Sequence, residues 1–249
     1  MELVSIKTEK EIAVMAEGGK ILAGILEELK KMVRPGITTK ELDEVAEQLL
    51  FKFGKPSFKG YNGFPSATCV SVNEEIVHTV PGERKLEEGD IVSIDIGLEY
   101  KGYHSDMATT VAVGKISSIA EKLIEATRKS LNMGIKEIKP GNYLGDIGWA
   151  VQRSGESMGF GVVRDLCGHG IGKKIHEEPQ VLNYGKKKMG MEIKEGMVLC
   201  VEPMLTVGDY NIKKAGDGFS IRTADGSLSA HFEHTIAVTK NGHRILTSL

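Results

Sequence analysis

Cysteine is scarce in this chain. Only Cys69, Cys167 and Cys200 occur, and no two of them form a C-x-x-C pair. An odd count without such a pair argues against a disulfide framework and for a reducing compartment. Charge of one sign is not in excess either. The formal net charge is −2 over 249 residues, which gives no electrostatic reason to expect nucleic acid binding. The short basic run Lys186-Lys187-Lys188 reads as a solvated turn. Long apolar runs are missing. The longest, from Ile21 to Leu29, is interrupted by Gly24, Glu27 and Glu28, so no transmembrane helix is expected. The N-terminal MELVSIKTEKEI has no apolar core of signal-peptide type. No linker or low-complexity segment is apparent. The expectation is one cytoplasmic catalytic domain over residues 1–249, with no membrane partner.

Periodicity supplies the elements. Lys7 or Thr8 precedes an amphipathic helix carrying Ile12, Met15, Leu22, Leu26 and Leu29. Thr38 or Thr39 caps a second helix with Glu41 in its first turn. Ser117 or Ser118 opens a third through Leu131, and residues 142–158 form a fourth. Strand patterns lie at 67–72, 91–96, 108–113, 197–201 and 229–238. Helices beside antiparallel-type strands indicate an α+β fold.

The chain also repeats itself. Leu86–Asp95 (LEEGDIVSID) aligns with Ile193–Glu202 (IKEGMVLCVE), and each segment runs from a glycine turn into an apolar strand ending in a carboxylate. Arg34-Pro35-Gly36 corresponds to Lys139-Pro140-Gly141. Cys69 precedes His78 and Pro81 at the spacing by which Cys167 precedes His176 and Pro179. Two halves of one plan, related by a pseudo-twofold axis, are expected.

Against that frame five polar residues stand out: Asp95, Asp106, His169, Glu202 and Glu233. Each lies in a stretch that reads as a buried strand or a tight glycine-rich turn. Burying one unpaired carboxylate costs several kcal/mol or forces it to protonate. Four around one histidine make sense where a pair of divalent cations neutralises them. Oxygen-rich ligation with one nitrogen and no sulfur suits Mn, Co, Fe or Zn. A hairpin turning at Lys101-Gly102-Tyr103 would bring Asp95 and Asp106 side by side. Gly168-His169-Gly170-Ile171-Gly172 has the wrong spacing for a dinucleotide fingerprint. His231 and His234 read as residues behind the ligands or on the surface, outside the ligand set.

The segments CVSVNEEIVHTVP (69–81), DIGLEYKGYHSD (95–106), GHGIGKKIHEEP (168–179), Glu202-Pro203-Met204 and SAHFEHT (229–235) resemble the type I methionine aminopeptidases, and the likeness covers nearly the whole chain. It resembles the short form, without a cysteine- and histidine-rich N-terminal extension. The resemblance implies the pita-bread fold, an antiparallel-rich curved sheet flanked by helices. It implies removal of N-terminal methionine from nascent proteins whose second residue is small, by attack of a metal-bridging hydroxide on the first peptide bond. It further implies two divalent ions, one chelated by Asp95, the other by His169 and Glu202, with Asp106 and Glu233 bridging. Glu202 would move the proton, His176 would stabilise the oxyanion and His78 would bond the scissile amide. A methionine pocket of Phe58, Tyr61, Phe64, Cys69, His78, Ile175 and Phe219 follows from the same likeness, with Phe58, Ile175 and Phe219 replacing Cys, Phe and Trp of several relatives. Asn73 and Ser229 match a monovalent-cation site. A monomer acting on nascent N-termini at the ribosome is implied. Prolidase-like enzymes share the fold but usually carry a sizeable extra N-terminal domain, and non-catalytic members have typically lost metal ligands that this chain keeps.

Overall fold

The computed structural model describes residues 4–249. Among these residues are four α-helices, α1 (Glu9–Met32), α2 (Thr39–Phe51), α3 (Ser118–Lys136) and α4 (Leu144–Ser157), and antiparallel strands gathered into four sheets. The helix starts follow local chemistry. The Thr8 amide donates to Glu11 Oε2 at 2.8 Å, and the Thr38 amide to Glu41 Oε2 at 2.7 Å, while each threonine hydroxyl accepts from the glutamate amide. These are reciprocal capping boxes that satisfy otherwise orphaned donors. The Ser117 hydroxyl caps α3.

The two halves are built alike down to single hydrogen bonds. The Gly36 amide donates to the Leu86 carbonyl at 2.8 Å, and the Gly141 amide to the Ile193 carbonyl at 3.2 Å. The Gly89 amide donates to Val113 at 2.9 Å, and the Gly196 amide to Val238 at 3.0 Å. All four glycines have φ between 85° and 100°, the left-handed region that a side chain disfavours. The repeat read in the sequence is therefore a repeat of backbone geometry.

At the centre the halves meet on one residue pair. Glu233 donates its amide to the Ala108 carbonyl at 3.0 Å, and Ala108 donates back at 3.4 Å. Two threonines flank this pair symmetrically. The Thr110 hydroxyl accepts from the His231 amide at 2.8 Å and donates to the His231 carbonyl at 2.9 Å. The Thr235 hydroxyl does the same for Asp106, at 2.9 and 2.7 Å.

Each half has its own apolar core. Leu22, Leu26, Leu42, Val70 and Ile94 belong to the first, and Leu123, Ile147, Leu199, Val201 and Ile236 to the second. A third cluster draws on both halves, with Phe58, Phe64 and Cys69 against Ile171, Ile175 and Val198. The predicted 229–238 strand is split. Ser229–His231 pairs with Met204–Thr206, and His234–Thr239 pairs with Val198–Val201. The facing chain breaks at the same level, at Glu202-Pro203, since proline brings no amide to a ladder. The strands expected at 91–96 and 108–113 belong to a longer hairpin of two ten-residue strands, Ile91–Tyr100 and Tyr103–Ala112. The three cysteines are free, and the lysine run at 186–188 is exposed, as expected. No helix among the described residues is long and apolar enough to cross a membrane.

Close helix packing yields a paired prediction. A Cβ at Gly148 in α4 would stand 2.3 Å from the Tyr184 carbonyl oxygen, whereas one at Gly24 in α1 would meet nothing within 4 Å. Gly148→Ala is expected to lose about 1–3 kcal/mol through overpacking against rigid backbone. Gly24→Ala is expected to gain about 0.5–1 kcal/mol from reduced chain entropy. Equilibrium urea unfolding of both variants checks the opposite signs.

Candidate metal centre

The hairpin carrying Asp95 and Asp106 turns through Lys101 (φ 51°) and Gly102 (φ 81°), the two left-handed residues of a tight primed turn. Its register places Asp95 opposite Ala108 and Asp106 opposite Gly97. The aspartates are thus diagonal neighbours on one face, two pairs apart, and not direct partners as expected. His169 stands in the Cys167–Gly170 strand. Glu202 and Glu233 lie at the matched interruption of the two facing chains, where neither is committed to a regular ladder. Glu233 occupies the central pair with Ala108.

These five side chains converge. Asp95, Asp106 and Glu233 each present an oxygen within 4.8 Å of the others, as do Glu202 and Glu233 together with a nitrogen of His231. His169 Nε2 lies 3.6 Å from Glu202 Oε1 and 4.0 Å from Asp106 Oδ2. Its other nitrogen, Nδ1, lies 2.9 Å from the Gly170 carbonyl. A carbonyl accepts only, so Nδ1 carries the proton and Nε2 faces the carboxylates with a free lone pair.

The electrostatics are those of a cage built for cations. Burial pushes Asp95 from the ordinary 3.8 up to about 7. Asp106 is raised well above its usual range by burial and by the charges of Glu233 and Asp95. Glu202 and Glu233 are raised by burial and by the surrounding carboxylates. Burial lowers His169 to about 3, with His176 adding repulsion. Asp95 Oδ1, Asp106 Oδ1 and Glu233 Oε1 are buried without a hydrogen-bond partner. Orphaned oxygens of this kind cost free energy unless something positive meets them. The donor set therefore fits hard or borderline divalent ions.

A cavity of about 560 Å³ opens onto this cage. Phe58, Tyr61, Phe64, Cys69, His78, His176 and Phe219 line it together with the acidic residues. Ile175 is 2% exposed and lies behind the wall, in the apolar cluster with Phe58, Phe64 and Cys69. His176 accepts at Nδ1 from, or donates to, the Tyr61 hydroxyl at 3.0 Å, and its ring stands edge-on to His169 with centroids 4.3 Å apart. Burial, with His78 and His104 nearby, holds His176 down at about 4. His78 has φ 57°, a left-handed conformation that a non-glycine residue adopts only under constraint. Asn73 and Ser229 are adjacent, the Ser229 amide donating to the Asn73 carbonyl at 2.8 Å. Their side chains already have protein partners: Asn73 Oδ1 accepts from Ile91, and the Ser229 hydroxyl donates to Leu205.

Sequence reasoning left His231 either behind the ligands or on the surface; the structure places it behind them, 1% exposed, and its approach to Glu202, Nε2 lying 3.7 Å from Oε2, was missed. The period-two alternation of 229–235, which places His231 on the same face as Glu233, was the available signal. Lys7 was also missed. Its ammonium bonds Glu177 Oε2 at 2.7 Å, both groups nearly buried, and so ties the N-terminal segment to the residue after His176.

The profile of a family described as metallopeptidase family M24 matches residues 13–240. A methionine aminopeptidase of Bacillus subtilis is 50% identical over 246 residues, covering 98% of this chain and 99% of its own length. Solved methionine aminopeptidases of Rickettsia prowazekii and Thermotoga maritima superpose with a TM-score of 0.97 each, at 38% and 44% identity, over 99% of this chain and all of theirs. A prolidase from Pyrococcus horikoshii shares the fold, with a TM-score of 0.80 at 24% identity, but only 63% of that chain is covered.

The raised carboxyls make a pH prediction for metal-free protein. Folded Asp95 keeps its proton up to about pH 7, while the unfolded chain gives it up near the ordinary value. Stability contributed this way is present at low pH and lost as pH rises through the folded pKa. The buried histidines are neutral in both states above their ordinary 6.5 and oppose the trend only below it. Between pH ~6.5 and ~8, stability should fall with rising pH by up to about 1.4 kcal/mol per unit for each carboxyl still protonated in the folded state. Melting in chelator across that window, compared with melting in excess Mn(II), checks it. The metal-loaded protein should show a much flatter profile.

Proposed function

The chain belongs to metallopeptidase family M24, among its methionine aminopeptidases, and from that premise we propose a two-ion mechanism for the removal of N-terminal methionine. The enzyme is a metal-dependent aminopeptidase with the pita-bread fold. The observation that carries the reading is the convergence of four carboxylates, three buried with orphaned oxygens and Glu202 half-buried, with the bare Nε2 of His169. Asp95 would hold one ion, His169 and Glu202 the second, and Asp106 and Glu233 would be shared. Divalent ions held there supply a water activated at neutral pH and a Lewis acid for the substrate carbonyl.

The remaining steps belong to side chains. Glu202 accepts the proton of the attacking water and returns it to the leaving amine. Tyr61 donates to His176 Nδ1, so the ring proton stays on Nε2, where it bonds the developing oxyanion. His78 bonds the amide nitrogen of the scissile bond. The free amine of the substrate meets the acidic end of the cavity at Asp95, which restricts cleavage to the first residue. The methionine side chain lies against Phe58, Tyr61, Phe64, Cys69 and Phe219. An unbranched thioether fills such an apolar site, and a polar side chain would be desolvated there without compensation. Substrates are the N-termini of nascent chains in the cytoplasm, met at the ribosome by a monomeric, single-domain enzyme. Mn, Co, Fe and Zn all suit the ligands.

Turnover of Met-Ala-Ser by metal-loaded enzyme, lost on chelation and restored by Mn(II) or Co(II), is the direct test. Cleavage of Xaa-Pro dipeptides in its place would move the chain to the prolidase activity. From the likeness to methionine aminopeptidases, second-residue selectivity is expected to be steep: kcat/KM for Met-Ala peptides should exceed that for Met-Leu peptides by about a hundredfold, within the range by which a pocket discriminates apolar side chains of different size. Equal values would refute it.

His176→Ala should lower kcat about a hundred- to a thousandfold, with KM and bound metal little changed. A donor used only by the oxyanion contributes to the transition state and not to the ground state. Steady-state kinetics with metal analysis of the same sample checks this, and loss of an ion would show His176 to be a ligand.

A further inference from the structure

We propose that His231 is a positioning residue for Glu202, its Nε2–H bonding the carboxylate oxygen that faces away from His169. The inference rests on the reading of Glu202 as the proton carrier. Glu202 stands between two imidazoles. Its Oε1 lies 3.6 Å from His169 Nε2, and its Oε2 lies 3.7 Å from His231 Nε2. Glu233 Oε2 lies 3.9 Å from that same nitrogen. Both nitrogens of His231 are buried with no hydrogen-bond partner. A neutral imidazole always carries one N–H, so a buried ring with carboxylates on one side has its donor best placed there. Closing 3.7 Å to hydrogen-bond length takes roughly 0.5 Å.

The alternative, a second nitrogen ligand, fits less well. A ligating histidine donates its other N–H to an acceptor that fixes the ring. His169 meets that condition through the Gly170 carbonyl. His231 does not, because Nδ1 has no partner. Ligation through Nε2 would bury an unmet N–H at Nδ1, whereas donation from Nε2 leaves Nδ1 an unprotonated acceptor. The backbone also suits a fixed donor. The Thr110 hydroxyl bonds both the amide and the carbonyl of His231, at 2.8 and 2.9 Å. In the repeat, this clamp is the counterpart of the one Thr235 places on Asp106. The fold thus holds a shared carboxylate and the proposed donor by the same device, one from each half.

The test uses full-length metal-loaded enzyme with His231→Leu and His231→Gln. Leucine removes the donor at similar volume, and glutamine restores an N–H at similar reach. The leucine variant should lose about tenfold to a hundredfold in kcat with KM nearly unchanged, a loss typical of removing a group that orients a metal-site carboxylate. Glutamine should recover to within about threefold of the parent. Calorimetric titration of the metal-free proteins with Mn(II) should give unchanged stoichiometry and a Kd within about threefold for both variants, well short of a lost ligand. Loss of an ion, or a much weaker second binding step, in both variants would overturn the proposal and make His231 a ligand. Parent-like kcat in the leucine variant would overturn it by showing that no orientation is supplied. Should the leucine variant fail to fold, His231→Asn, an amide one methylene shorter, carries the same contrast with glutamine. Glu202→Gln separates this inference from its premise. Full turnover there removes the proton-carrier reading itself, while an inactive Glu202→Gln beside a normal His231→Leu removes only the present proposal.

Discussion

Repulsion among buried carboxylates is the constraint on which the rest of the molecule depends. Asp95, Asp106, Glu202 and Glu233 share one desolvated volume, and each raises the pKa of at least one other. Such a cluster is tolerable only where cations enter or protons remain. It is also useful only where the geometry survives the strain. The surrounding structure therefore has to hold mutually repelling groups close together, on backbones that cannot drift apart.

The pseudo-twofold axis meets that requirement. Two halves, each with its own apolar core, are joined where Ala108 and Glu233 exchange backbone hydrogen bonds. Thr110 and Thr235 reinforce the junction on either side, each clamping the backbone of a residue that faces the cage. A buried hydroxyl that both donates and accepts across the seam is a short, rigid link. The matched breaks at Glu202-Pro203 and Phe232-Glu233 then free two glutamates from regular pairing and turn them inward. Symmetry makes the scaffold, and departures from it make the chemistry. The repeat places Asp106 in one half where His231 stands in the other, and the two positions differ in charge and in hydrogen-bonding role.

Much of this was legible in the residues. The helix starts were legible to within a residue, at Lys7 or Thr8 and at Thr38 or Thr39 with Glu41 in the first turn, because caps are encoded within four residues. The glycine turns at Gly89 and Gly196 were legible because left-handed φ has few occupants. The acidic residues stood out because apolar strands rarely carry carboxylates. Other features depend on distant parts of the chain. The diagonal register of Asp95 and Asp106, by contrast, is fixed by the two-residue turn itself: with Tyr100 opposite Tyr103, Asp95 falls opposite Ala108. The burial of Ile175 behind the cavity wall needs the third apolar cluster, which draws on both halves. His231 stayed between two readings, behind the ligands or on the surface, because its neighbours Glu202 and Thr110 lie far off in sequence. Lys7, an ordinary lysine by pattern, is buried by an ion pair with Glu177, 170 residues away.

The seam has a consequence for how the protein comes into being. Its contacts join residues more than a hundred positions apart, and the strand that follows Glu233 is itself held by Leu246 and Thr247. The Leu246 amide donates to the Thr235 carbonyl at 2.9 Å, and the Thr247 hydroxyl accepts from the Thr235 amide at 3.1 Å. Synthesis delivers the chain from its N-terminus, and units fold as they emerge. Asp95 and Asp106 are thus made more than a hundred residues before Glu233. The cage closes only once Glu233 and the later residues that hold Thr235 have been made, so the repelling carboxylates are brought together late.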